Sequence, residues 1–171
     1  MSEGVSTSSP QAETARLGVA VGALIWRPSD GRYLLLRRSA TKDFAAGWWE
    51  CVTGRVDHGE SISQALHREV AEELGIQVQT DFLIGTFRFY RGPEDPQYEM
   101  VGLHFCCSCN DAADVSLSWE HSELRWATAG EADRILPADH WLRPVIVRAE
   151  TLRVLMPSEL LRHNREAGFE L

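Results

Sequence analysis

Residues 54–76 read GRVDHGESISQALHREVAEELGI, and this stretch determines how the chain is expected to fold. Glycine and charged residues at its start predict a turn, and a helix is predicted between Ser61, a suitable N-cap, and Gly75, a suitable C-terminal cap. Apolar residues recur at every fourth position on the predicted buried side of the helix: Ile62, Leu66, Val70 and Leu74. The stretch therefore predicts a turn followed by an amphipathic helix.

Three glutamates on this helix indicate a metal site. Glu69, Glu72 and Glu73 are offset by zero, three and four positions, so their carboxylates project within about 100° of arc. Two carboxylates about 4 Å apart repel each other by roughly 4 kcal/mol at an effective dielectric constant near 20. A hard divalent cation removes this repulsion, and Mg²⁺ completes its shell with water and substrate phosphate. The pattern suits metal-assisted phosphate chemistry, but for such a glutamate run taken alone the alternative of a solvated face of good helix formers has more weight.

The same stretch resembles the signature of the Nudix hydrolases: G, five residues, E, seven residues, then R-E-apolar-x-E-E-x-G-apolar. Its specified positions are filled by Gly54, Glu60, Arg68, Glu69, Val70, Glu72, Glu73, Gly75 and Ile76. The resemblance implies an α/β fold, a Nudix-type α/β/α sandwich with a mixed β-sheet. It implies one such domain over residues 16–171, with a helical C-terminal segment. One departure precedes the signature, where residues 51–53 replace a frequent Pro-Gly.

The resemblance also implies roles for these residues. Glu69, Glu72 and Glu73 would bind Mg²⁺ or Mn²⁺, with the Thr53 carbonyl as a further ligand and Glu72 counted among the catalytic residues. The residues that would support the site structurally are Gly54, Glu60, Arg68 and Gly75, with Arg68 paired to Glu60. The implied reaction is the attack of water on a phosphorus atom of a nucleoside diphosphate linked to another group.

A general base is expected from a later loop, since relatives of this kind draw a glutamate from that region. In EHSELRW at residues 120–126, Glu120 is the first candidate and Glu123 a substitute. Arg37 and Arg38 follow an apolar run and are candidates for binding substrate phosphate, although exposed strand-end arginines are an equal alternative. Trp126 is a candidate wall of the substrate pocket. The histidines at positions 58, 67, 104 and 121 are predicted to be surface or packing residues.

Composition limits the remaining possibilities. A chain of 171 residues with 44% hydrophobic content is expected to form one domain, and a net charge of −8 argues against a nucleic-acid partner. Residues 1–15 are small and polar, so they predict a flexible tail and not a signal peptide. No apolar run is long enough to span a bilayer. The expected protein is cytoplasmic and binds a small-molecule nucleotide without membrane contact, and a homodimer is left open.

Four cysteines raise the question of zinc or redox chemistry. They lie at positions 51, 106, 107 and 109, and no second pair stands at zinc-finger spacing. The run QYEMVGLHFCCSC at 97–109 has the composition of a strand, in which a free cysteine acts as a small buried hydrophobe. Buried thiols are therefore predicted.

The order of the remaining elements predicts a mixed α/β domain. Strand-like runs occupy residues 17–27 and 33–38, joined by an Asp30-Gly31 hairpin turn, and WWECVTG leads into the signature. Further strands are predicted in TDFLIGTFRFYR at 80–91 and in the cysteine-rich run. A short strand is expected at Leu124 to Ala127, before a helical remainder interrupted by prolines.

The substrate is less well defined by the sequence. The first expectation is a nucleoside triphosphate pyrophosphohydrolase, and the enzymatic alternatives are hydrolysis of ADP-ribose, a nucleotide sugar or a dinucleoside polyphosphate. Two hypotheses of another kind remain, a prenyl-diphosphate isomerase and a non-catalytic nucleotide-binding regulator. The isomerases of this family depart from the strict signature, and the regulators carry a broken signature or an added DNA-binding domain.

Overall fold

The structure, a computed structural model, describes residues 17–109 and 114–170, so the predicted tail lies outside the described residues. The strands are β1 (Gly18–Arg27), β2 (Arg32–Arg38), β3 (Trp49–Glu50), β4 (Val52–Arg55), β5 (Gln79–Tyr90), β6 (Glu99–Ser108) and β7 (His121–Ala127). The helices are α1 (Ile62–Leu74), α2 (Ala129–Ile135), α3 (Leu142–Leu155) and α4 (Ser158–Ala167), and a 3₁₀ turn covers Pro96–Tyr98.

The strands within the described ranges form one mixed sheet, as predicted. Its order is β3-β2-β1-β6-β5, with β4 paired to β1 and β7 paired to β2. The β1–β6 pair is parallel and the other pairs are antiparallel. Strand β7 begins at His121, earlier than the predicted Leu124, because His121 already pairs with Arg38 of β2.

Helices cover both faces of this sheet, which confirms the α/β/α arrangement. Alternate residues of β1 point to opposite faces, so Val21 and Ile25 pack with α1 while Leu24 packs with α2 and α3. Full burial of such a side chain contributes about 1.5 to 3 kcal/mol to stability. The four cysteines are free thiols and all are buried, as predicted.

Helix α1 has the predicted caps. The Ser61 hydroxyl accepts a hydrogen bond from the Gln64 backbone, and the Gln64 side chain accepts one from the Ser61 backbone. Gly75 adopts a left-handed conformation with φ 68°, and its N–H donates to the Ala71 carbonyl. These caps fix both ends of the helix that carries the three glutamates.

The C-terminal segment also contacts helix α1. Buried Asp81 of β5 accepts hydrogen bonds from Trp26 Nε1 at 2.7 Å and from Arg165 Nε of α4 at 2.6 Å. Beyond α4, the Glu170 carboxylate accepts hydrogen bonds from the backbone N–H groups of Ile62 and Ser63, at the start of α1. A negative charge at a helix N-terminus is stabilising.

Among the described residues, no helix has the length and apolar character to cross a membrane.

Candidate active site

A cavity of about 1060 Å³ is lined by residues of the sheet, of α1 and of α3. Its charged end is lined by residues that include Arg38, Lys42, Glu50, Thr53, Gly54, Arg68, Glu69 and Glu120. Its other end is lined by residues that include Phe87, Arg88, Phe89, Arg91, His104, Trp141 and Arg148. The cavity therefore combines a carboxylate-rich end with an aromatic and basic end.

Glu69 reaches the cavity wall because Gly54 leaves room for it. A Cβ atom on Gly54 would lie 1.8 Å from the Glu69 carboxyl carbon, so any other residue type at position 54 would displace the carboxylate. Burial raises the pKa of Glu69, while its ion pair with Arg68 at 2.9 Å acts in the opposite direction. Gly54 of the signature therefore allows β4 and α1 to approach each other closely.

Glu73 lies beneath the cavity and is only 4% exposed. Its Oε2 atom has no hydrogen-bond partner, and His121 Nε2 lies 3.8 Å from it. Burial raises the pKa of Glu73 to about 9. The negative charges of Glu50, Glu69 and Glu120 add to that rise. A nearby positive charge would stabilise such a carboxylate as an anion.

Glu50 is a site residue that sequence reasoning missed. It is buried beside Glu73, and its carboxylate accepts hydrogen bonds from Arg38 Nη1 at 2.8 and 2.9 Å. His121 Nε2 lies 3.0 Å from the same carboxylate, and the Thr53 hydroxyl donates to it at 3.3 Å. In the sequence, the position of Glu50 between the apolar residues Trp49 and Cys51 was the available signal that its carboxylate is buried. His121 and Lys42 were also missed, and no pattern in the sequence marks them.

Glu120 lies at the rim of the cavity, in the turn before β7. Its carboxylate forms an ion pair with Lys42, and its charge contributes to the raised pKa values of Glu69 and Glu73. Glu123 does not line the cavity and pairs with Arg125 and Arg37 instead. The structure thus separates the two candidate bases and brings only Glu120 close to the helix carboxylates.

Glu72 and Arg68 occupy the solvent side of α1. The Glu72 side chain is 62% exposed and lies 3.3 Å from Arg68 Nη1. Arg68 Nε and Nη2 donate to the two oxygens of Glu60 at 2.8 and 3.0 Å, and Nη2 also donates to the Arg55 carbonyl. The implied Arg68–Glu60 pair is therefore present. It ties the loop before α1 to the helix.

The candidate substrate residues lie in different places. Arg38 lines the cavity, but its guanidinium is held by Glu50 and by the Phe44 carbonyl. Arg37 is directed to Gly47 and Glu123 outside the cavity. Trp126 packs against the α1-side core, beneath the Arg27 guanidinium at 4.5 Å. Neither Arg37 nor Trp126 lines this cavity, and their contact with substrate stays a prediction.

The residues at the charged end fit a divalent cation. The unpartnered Oε2 of Glu73, buried among three other carboxylates, is the observation that supports this fit. In the described part of the chain, no three His, Cys, Asp or Glu side chains already converge at metal-binding spacing. The carboxylates of Glu69, Glu120 and Glu50 are instead paired with Arg68, Lys42 and Arg38.

Aromatic rings form a row at the other end of the cavity. The His104 ring lies between Phe87, at a centroid distance of 4.1 Å, and Trp141, at 5.3 Å. Burial lowers the pKa of His104 to about 4, so the ring is neutral at physiological pH. Gly22 makes room for it, because a Cβ atom there would lie 2.2 Å from His104 Cδ2. This end offers flat apolar surface near Arg91 and Arg148.

Removing the Arg68 side chain is expected to cost stability and activity together. Arg68→Ala leaves the mostly buried Glu60 and Glu69 carboxylates without their partner, so we expect a melting temperature lower by on the order of 5 °C. Turnover should fall with it, because Glu69 loses its position. Thermal unfolding and kinetics of the same preparation measure both. Abolished turnover at an unchanged melting temperature would contradict a structural role.

The fold and the site define the class of the protein: an α/β/α sandwich with a glutamate-bearing helix at the wall of a deep cavity. A family model described as NUDIX domain matches residues 16–149. The chain therefore belongs to the Nudix hydrolase family. The matched range ends within α3, so α4 lies beyond it.

The chain is also similar to known proteins along most of its length. The chain is 32% identical over 131 residues to an octanoyltransferase of Myxococcus xanthus, in an alignment that covers 77% of this chain and 36% of that protein. It thus spans about a third of that relative. It is 32% identical over 141 residues to the CTP pyrophosphohydrolase of Escherichia coli (strain K12), covering 81% and 96% of the two chains. The solved MutT protein from Methanosarcina mazei Go1 matches with 30% identity and a TM-score of 0.67, covering 83% and 99%.

Proposed function

We propose that this chain is a divalent-metal-dependent nucleoside triphosphate pyrophosphohydrolase. The observation that carries the proposal is the buried, unpartnered carboxylate of Glu73, which lies close enough to Glu69 at the charged end of a large cavity for the two charges to interact. The reaction would split the triphosphate into a nucleoside monophosphate and pyrophosphate with one water molecule. The similarity to a CTP pyrophosphohydrolase over nearly the whole of that protein supports this reaction class.

Each residue at the charged end has a proposed part. Glu69, Glu72 and Glu73 would hold Mg²⁺ or Mn²⁺, with Thr53 as a further oxygen ligand. A bound cation would lower the pKa of its water and neutralise charge on the phosphate oxygens. Glu120 takes a proton from the attacking water or assists as a ligand, since it lines the cavity and its charge acts on both Glu69 and Glu73. Gly54, Glu60, Arg68 and Gly75 keep α1 and the preceding loop in place.

The aromatic end supports a nucleoside portion in the substrate. Rings of Phe87, His104 and Trp141 supply apolar surface of the kind that pockets use for flat heterocycles. The neutral His104 can both donate and accept a hydrogen bond. This surface favours a nucleotide over a prenyl diphosphate, and the intact signature favours an enzyme over a regulator. Arg38 is retained as a candidate phosphate contact because it lines the cavity.

A second candidate is a larger nucleoside diphosphate derivative, such as ADP-ribose, a nucleotide sugar or a dinucleoside polyphosphate. The volume of the cavity is at the upper end of the roughly 300 to 1000 Å³ usual for ligand sites. Arg91 and Arg148 line it at the end opposite the carboxylates, where a second anionic or sugar group would lie. This observation supports the larger nucleoside diphosphate derivatives as the second candidate substrates.

The remaining properties are proposed on chemical grounds. The four buried free thiols suit a reducing compartment, which supports a cytoplasmic location. The partner is a small-molecule nucleotide, and the net charge of −8 does not favour nucleic acid.

A substrate screen tests the proposed function. Purified protein is incubated with nucleoside triphosphates, ADP-ribose, nucleotide sugars and dinucleoside polyphosphates, with Mg²⁺ or Mn²⁺, and the products are identified by mass. We expect a nucleoside monophosphate and pyrophosphate from a triphosphate. Products of the larger substrates alone would support the second candidate, and a diphosphate with inorganic phosphate would contradict both.

A further inference from the structure

The ion pair between Lys42 and Glu120 lies at the rim of the cavity and joins two separate segments. Lys42 belongs to the 39–48 loop between β2 and β3, and Glu120 belongs to the turn before β7. Both side chains line the cavity on its charged end. The Lys42 side chain is 14% exposed and that of Glu120 is 32% exposed, so the pair is partly desolvated but open to a ligand.

The backbones on either side hold this pair in place. The Ser39 N–H donates to the Glu120 carbonyl at 2.7 Å, and the Lys42 N–H donates to the Ser39 carbonyl at 3.2 Å. The base of the loop is closed by hydrogen bonds from Gly47 N to Arg38 O and from Arg38 N to Trp48 O. The side chains can therefore exchange partners while the two segments stay joined.

Lys42 has one anionic partner and a position from which it can reach another. Its ammonium group lies 5.0 Å from the centroid of the Trp119 ring, which supports the side chain from outside. Its positive charge also acts on buried Glu73, where it partly offsets the rise in pKa that burial causes. A lysine ammonium on a flexible stem is a common phosphate ligand and carries no fixed bidentate geometry. Arg38 and Arg68, by contrast, are each held by more than one acceptor.

We propose that Lys42 binds the substrate's diphosphate group and that this contact releases Glu120 from its ion pair. In the free protein Glu120 neutralises Lys42, and in the complex a phosphate oxygen replaces the Glu120 carboxylate. Glu120 is then unpaired and able to act on water only when substrate is present. The inference rests on the proposed function for its catalytic meaning, but the competition between carboxylate and phosphate stands on the ion pair itself.

The competition predicts opposite effects of two substitutions on the binding of a diphosphate. The probe is imidodiphosphate with Mg²⁺, whose bridging nitrogen resists hydrolysis, measured by calorimetry. Lys42→Met is expected to raise the Kd roughly tenfold or more, the scale of one lost charge-assisted hydrogen bond. Glu120→Gln is expected to lower the Kd about threefold or more, because Lys42 is released. Lys42→Arg keeps the charge and should stay within about threefold of wild type.

Controls separate this competition from a general effect of charge. Glu123→Gln and Arg125→Met alter a comparable ion pair outside the cavity and should leave the Kd unchanged. In the double variant Lys42→Met/Glu120→Gln, the gain from Glu120→Gln should disappear. Tighter binding that persists in the double variant would indicate simple repulsion by Glu120 and overturn the proposal.

Other outcomes also decide the matter. No binding of imidodiphosphate by the wild-type protein, or an unchanged Kd in a folded Lys42→Met variant, would overturn the proposal. The binding measurement needs no turnover. If the Kd values change as expected but the protein hydrolyses no triphosphate, the proposed function is refuted and the role of Lys42 in binding remains supported. Melting temperatures of all variants verify that each remains folded.

Discussion

Replacing Glu73 by glutamine is expected to lower turnover by on the order of 10²-fold or more, comparable to the loss of a general base or an electrostatic contribution. The substitution removes a buried ionisable carboxyl group that a bound cation would hold as an anion, and it keeps nearly the same shape. Steady-state kinetics at saturating Mg²⁺ measure the loss. Glu123→Gln, which changes the same kind of group outside the cavity, should retain wild-type turnover.

The same substitution is expected to stabilise the fold when divalent cations are chelated. Because burial raises the pKa of Glu73 to about 9, the folded chain keeps a proton that the unfolded chain releases near pH 4.5. Stability from this group is thus full below pH 4.5 and falls as the pH rises toward about 9. At pH 7, about 2.5 units above the ordinary pKa, the loss is on the order of 3 kcal/mol.

Thermal unfolding in EDTA between pH 5 and pH 8 measures this effect. Glutamine carries no proton to lose, so the melting temperature of Glu73→Gln should exceed that of the wild type by a margin that widens with pH. A margin independent of pH would contradict the burial of an ionisable carboxyl at this position. Full activity of the variant would contradict its role in the site.

The second large effect is expected at Glu120. A general base contributes about 10² to 10⁴ in rate, so Glu120→Gln should depress kcat by that factor, and KM should not rise. The fold should be unaffected, because the side chain lies at the cavity rim. Kinetics of Glu120→Gln and Glu123→Gln across the pH range, with the best substrate of the screen, measure the difference.

The alternative outcomes at these two positions are distinct. Wild-type activity of Glu120→Gln at every pH would eliminate Glu120 as base or auxiliary ligand. A large loss at Glu123 alone would move the role there, in spite of its pairing with Arg125.

Local patterns predicted helix α1 and its surroundings. The caps at Ser61 and Gly75, the Asp30-Gly31 hairpin turn and the burial of the cysteines all follow from short-range rules, and the structure has each of them. The Arg68–Glu60 pair is also within reach of sequence reasoning, since both residues belong to one signature.

Contacts between distant segments could not be predicted in the same way. Lys42 meets Glu120 because β7 pairs with β2. His121 of β7 meets Glu50 of β3 because both strands pair with β2. Helical spacing places Glu72 beside Glu69 and Glu73, but it cannot show that Glu72 lies on the solvent side. Trp126 is close to Glu120 in sequence, yet the alternation of side chains along β7 directs it into the core beneath α1 and not into the cavity.

The binding of Mn²⁺ tests most directly whether the carboxylates of α1 hold the metal. The free Mn²⁺ signal in electron paramagnetic resonance is titrated with wild-type protein, Glu73→Gln and Glu123→Gln. We predict equal affinity for the wild type and Glu123→Gln and at least tenfold weaker binding by Glu73→Gln. Equal binding by all three proteins would contradict the proposed site.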